Sequence, residues 1–175
     1  TQYLFGTHND CFPRRRDLLE WYLHRCNASH PVVGYEMSPR KNPVFTGMVS
    51  HTATMYHMPT MDRIGFGFSQ RRLLNAYGAT SPVEPKCNEW PDTEVLGNMI
   101  LRAKGIRPLL IGGPETNYER WVDDRIDHVR TLTAGKLYSP EYYAKVEPRA
   151  LAARAEAAAR LQEWKRISTG NAKHG

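Results

Sequence analysis

"EWPDTEVLGNMILRAKGIRPLLIG", residues 89–112, decides how this chain is read. A Trp-Pro turn leads into an acidic knot, Asp92-Thr93-Glu94, and then into a helical run that stops at Gly105 and becomes the strand "IRPLLIGG". Glycine just past the last helical residue is the usual stop signal. A helix followed through one tight turn by a strand is the rhythm of an α/β domain.

The flanks extend that rhythm. Tyr3 to Phe5 is a short apolar run suited to a buried strand, and residues 14–26 are expected as a helix because Leu18, Leu19, Tyr22 and Cys26 recur at steps of three and four, with Pro13 at the helix start. Residues 27–31 stop it. Residues 31–39 and 48–58 read as strands, and a short helix from Thr60 runs to a glycine turn at Gly65 to Gly67. A second short helix through Leu74 and a proline-rich loop at 81–91 follow. Residues 117–132 are helical or irregular on this reading. From Pro148 to Ile167 alanine, arginine, glutamate and leucine dominate, so a strong helix is expected, its Leu151, Leu161 and Trp164 face docked on the α/β body or on a second chain and Arg154, Arg160 and Arg166 largely in solvent or against an anionic surface.

At 175 residues with 41% hydrophobic and 10% aromatic content, the chain has enough material for one domain and a tail. Lys and Arg number 24 against 18 Asp and Glu, a net charge of +6, with clusters at Arg14-Arg15-Arg16, at Arg71-Arg72 and in the last residues. That balance favours anionic partners without choosing among them. Three cysteines without CxxC spacing argue against a disulfide framework or a thiolate zinc site, and point to a reducing compartment. No apolar run approaches a membrane span and no leader opens the chain. Beginning at Thr1 and not at methionine, it reads as a processed product or a piece of something longer.

His8 and Asp10 flank one residue at a strand end, so in extended geometry both side chains share a face. One imidazole and one carboxylate there can hold a divalent metal; equally, Asn9-Asp10 is good turn chemistry. Asp92 and Glu94 at a helix start can cap free N–H groups, or Asp92 can act as a general base. His51, His57 and His128 are the further histidines in plausible positions. Arg14 to Arg16 can bind phosphate or simply solvate a first turn. No P-loop, dinucleotide fingerprint, HExxH or GxSxG motif is present.

Taken in order, "THNDCFPRRRDLLEWYL", "SHTATMYHMPTMDRIGFGFS" and "WPDTEVLGNMILRAKGIRPLLIG" resemble the second half of a GT-A type glycosyltransferase domain of the large inverting family 2. The resemblance implies an α/β, Rossmann-related partial mixed sheet flanked by helices over residues 1–138, with a helical tail at 139–175. It implies that His8, Asp10 and the late His128 bind Mn²⁺ or Mg²⁺, with His8 standing where the family has its first aspartate. It makes Asp92 the catalytic base, although Pro91 replaces the usual preceding glutamate, and it places Met55, His57, Gly65, Trp90 and Glu94 about the substrates. The partners it implies are a nucleotide-sugar donor, a sugar or lipid-linked acceptor, and a second polypeptide or further chain supplying the family's first half, in the cytoplasm or at the membrane surface. The rival reading is a non-catalytic basic subunit that binds RNA, phosphate or a protein.

Overall fold

The computed structural model of the chain describes residues 1–8, 11–37, 46–69, 72–73, 93–112, 121–128 and 140–171. Their elements are β1 (Tyr3–Thr7), β2 (Cys11–Pro13), α1 (Leu18–Leu23), β3 (Val32–Glu36), β4 (Val49–His57), α2 (Met58–Arg63), α3 (Thr93–Ala103), β5 (Leu109–Leu110), β6 (Trp121–Val122), β7 (Ile126–His128) and α4 (Pro140–Asn171). The protein is mixed α/β and divides into two compact units. One comprises Thr1–Thr7 and Leu19–Glu115, the other His8–Leu18 and Thr116–Gly175. The expected boundary between residues 138 and 139 lies outside the described residues.

In the first unit four strands form a mixed sheet in the order β1-β4-β3-β5, with β4 antiparallel to both neighbours and β3 parallel to β5. Cross-strand partners share a face. Phe5, Met55 and Val33 stand opposite one another on the face covered by α1, where Phe5 meets Tyr22 at 5.0 Å between ring centroids and the Tyr22 hydroxyl donates to Ala53 O at 2.8 Å. Val32 and Tyr56 lie on the other face, in one core cluster with Met61, Phe66, Leu96, Ile100 and Leu101. Central β4 is therefore buried along nearly its whole length.

Helix α3 ends as its sequence predicts. Gly105 has φ +70°, its N–H donates to Arg102 O at 3.0 Å, and Ile106 N–H donates to Leu101 O at 2.8 Å, the paired bonds of a Schellman stop. Asn27 closes the segment after α1 with its side-chain oxygen accepting from the Ser29 and His30 N–H groups. The helix expected at 14–26 is shorter, six residues from Leu18, and Leu19 is exposed while Leu18, Tyr22 and Cys26 are buried. Pro13 starts no helix; it ends β2.

That strand belongs to the second unit, where β2, β7 and β6 form an antiparallel sheet. The stretch at 117–132, read from sequence as helical or irregular, contains the β6–β7 hairpin, whose turn is set by Asp123. Its Oδ1 accepts from Arg125 N–H at 2.7 Å and Ile126 N–H at 2.9 Å. Helix α4 is 32 residues long and takes in Pro148 as an interior residue. Within the chain its buried face is an alanine face, and of the three residues expected to dock only Trp164 is half-buried. Ala150, Ala153 and Ala157 are buried, the first two against Phe12, while Leu151 and Leu161 are 56% and 45% exposed. Small side chains allow the helix backbone to lie close to the sheet, which a leucine stripe would prevent. Arg154 and Arg166 are exposed as expected, but Arg160 is half-buried.

Candidate functional site

In the first unit the head of α3 is tied to β4 through polar groups. Glu94 Oε1 accepts the His51 N–H at 2.6 Å. One turn on, Asn98 Oδ1 accepts Val49 N–H at 2.7 Å while its amide donates to Val49 O at 2.7 Å and Glu94 O at 2.8 Å. The segment it grips is irregular. Between Gly34↔Thr54 and Glu36↔Val49, two steps along β3 answer five along β4, so β4 carries three extra residues in a bulge. Within it Ser50 and Thr52 hydroxyls lie 2.9 Å apart, and Thr54 Oγ1 donates to Ser50 O. A Cβ on Gly34 would fall 2.5 Å from both Thr54 Oγ1 and Val49 Cγ2, so only glycine leaves room for this fold-over. Bulges of this kind re-aim side chains beside binding sites. Here the bulge sets the His51 ring beside α3, with Nε2 3.9 Å from where a Gly97 Cβ would stand. Buried Tyr56 lies on this side of the sheet; burial, with a smaller contribution from the Glu94 charge, pushes its phenol well above the usual range.

Met55, His57 and Gly65, also expected about the substrates, lie in the first unit. Met55 is 2% exposed and is a core residue as it stands. His57 precedes α2, with Nδ1 2.9 Å from Thr60 Oγ1 and its ring on Tyr3. Gly65, at φ +69°, closes α2 and donates its N–H to Asp62 O at 3.0 Å. Trp90, Asp92 and Asp10 lie outside the described residues.

The second unit brings two of the expected metal ligands together. His8 O accepts the Cys11 N–H at 3.2 Å, Cys11 pairs with His128 across β2 and β7, and the His8 and His128 rings lie 5.6 Å apart. His8 is exposed and His128 is 3% exposed, so the pair has one open and one sheltered imidazole. Among the described residues no group of three or more His, Cys, Asp or Glu side chains could hold a metal.

The arginine triplet is engaged within the second unit. Arg14 Nη1 donates to Asp123 O at 2.8 Å, Arg16 Nη2 to Ser168 Oγ at 2.8 Å, and Arg15 forks onto Asp17 with both contacts at 2.6 Å. The fork raises Arg15 above its ordinary range and lowers Asp17 below its own.

Sequence reasoning missed the Asn98 latch and the β4 bulge. The available signals were an asparagine four residues after Glu94 on a predicted helix, and serine and threonine alternating through a strand otherwise buried. Compared with protein-family models, with curated proteins and with solved structures, the chain matches none.

Proposed function

We propose that the chain is the acceptor-side half of a metal-assisted, inverting glycosyltransferase of the GT-A type, moving a sugar from a nucleotide-sugar donor to an acceptor hydroxyl. One observation carries the reading: His8 and His128, far apart in sequence, have neighbouring rings at 5.6 Å. Two imidazoles fit a first-row divalent ion, and with Asp10 from the adjoining sequence the set is mixed nitrogen and oxygen, better suited to Mn²⁺ than to Mg²⁺. When bound, that ion neutralises the charge of the departing diphosphate. Asp92, just before α3, takes the acceptor proton, and Glu94, fixed on the His51 N–H, borders the acceptor. Strand β1 is an outer strand of its described sheet, and an outer strand is where the segment or polypeptide carrying the donor-binding half can add. Among the described residues no helix is long and apolar enough to cross a membrane.

The test is titration with Mn²⁺, following the signal of the free ion by electron paramagnetic resonance, on wild type and His8→Ala. We expect saturable binding that tightens with uridine or guanosine diphosphate and weakens about tenfold or more in the variant. Equal binding by the two proteins, with thermal stabilisation by heparin alone, would replace this reading with the basic scaffold. Asp92→Asn in the complete enzyme should abolish turnover while donor binding persists; full activity would leave Asp92 a helix cap only.

A further inference from the structure

A cavity of about 550 Å³ lies within the first unit between α3, the turn into β5 and the segment preceding β4. Its lining combines apolar Met48, Ile106, Pro108 and Leu110 with two guanidinium groups, Arg102 and Arg107. None of the described residues lining it is acidic. The volume falls in the range that small-ligand sites occupy, about 300–1,000 Å³. Asn98 also faces the cavity, but its amide is held by Val49 and Glu94 and serves as wall. Arg102 is fixed by Nη2 donation to Thr46 O at 3.1 Å, and the Glu36 carboxylate near the rim accepts Gly47 N–H at 2.8 Å. The Schellman stop at Gly105 places Arg107 two residues beyond a rigid turn, so both arginines sit on defined backbone.

We infer that this cavity binds a small organic oxyanion with an apolar body, its phosphate or carboxylate on Arg102 and Arg107 and its body on Met48, Ile106 and Leu110. Guanidinium groups recognise such oxyanions by paired, charge-assisted hydrogen bonds. The apolar floor selects against a bare ion. The site is independent of His8, His128 and Asp92, so it can stand or fall apart from the transferase reading.

Phenyl phosphate and phenylacetate are the probes, read by isothermal titration and ligand-observed NMR on the full chain, with inorganic phosphate and benzyl alcohol as controls. At least one of the two anions should saturate a site, and which of them binds tighter tells phosphate from carboxylate. Arg107→Gln should weaken it about tenfold, the worth of one charge-assisted contact, and Arg107→Glu should abolish it. Arg107 is exposed, so neither variant disturbs the core. Binding that is unchanged in Arg107→Glu, inorganic phosphate that binds as tightly as phenyl phosphate, or no saturable binding of either anion would each overturn the inference.

Discussion

The two units reach order by different means. In the first, large side chains fill both faces of a central strand: Tyr22 and Val33 on one, and Leu96, Ile100, Leu101, Met61 and Val32 on the other, are essentially inaccessible. Among the described residues of the second, Ala150 and Ala153 pack on Phe12, Ile126 is buried, and polar staples fix the turns. Asp123 alone fixes two N–H groups and meets Arg125 at 2.9 Å. Burying a leucine-sized side chain stabilises by about 1.5–3 kcal/mol, and an alanine methyl by far less. Among the described residues, apolar volume thus dominates in the first unit and local geometry in the second.

Leu96→Ala would strain this contrast most. It opens a cavity in the core cluster and should destabilise by about 2–5 kcal/mol in urea titration, with amide protection lost across β3, β4 and α3 together. Next comes Gly34→Ala, whose methyl would meet Thr54 and Val49; overpacking of about 1–3 kcal/mol is expected. Restored stability in Gly34→Ala combined with Val49→Ala would show that crowding, and not glycine's backbone freedom, was responsible.

Cys26 sharpens the same point through pH. Burial pushes its thiol up from 9.0 to about 12. The folded value is raised, so the contribution is intact below pH 9; above it the unfolded thiol ionises first and stability is lost until about pH 12. The decline should not exceed about 1.4 kcal/mol per pH unit, and Cys26→Ala should flatten part of it. A urea midpoint with the same pH slope in that variant would exclude the thiol as a cause.

In the second unit Asp123→Ala should lower stability by about 1 kcal/mol, with faster amide exchange confined to β6 and β7. Loss of protection throughout β4 would refute the claim that this staple is local. The smallest effect belongs to Glu163→Gln. Its exposed fork with Arg166, which lowers the carboxyl's titration range, should leave the melting temperature unchanged within error.

What the sequence disclosed follows the same division. The α3–Gly105–β5 passage, β1, β3 and β4 were readable because periodicity and glycine chemistry act within a few residues. Strand β2 and the β6–β7 hairpin were not: three apolar or mixed residues carry no period, and Pro13 and Asp123 have several local meanings until a partner strand selects one. The burial of Ala150 and not Leu151 depends on how near a sheet comes to a helix, which no single helix encodes. For the candidate site, His8 and His128 were named from sequence, yet their approach rests on the pairing of Cys11 with His128. The Asn98 latch answers a bulge on another strand, so neither half announces the other.

Pro148, inside α4, has no N–H, so the carbonyl of Ala144 loses its partner in the helical ladder. A helix interrupted in this way need not melt as one body. Residues 140–147 can unwind while the turns beyond Pro148 stay docked through Ala150 and Ala153, and deuterium uptake by mass spectrometry should resolve α4 into an early and a late wave. Uptake that rises along all of α4 at once would show that the one missing bond leaves the helix a single body.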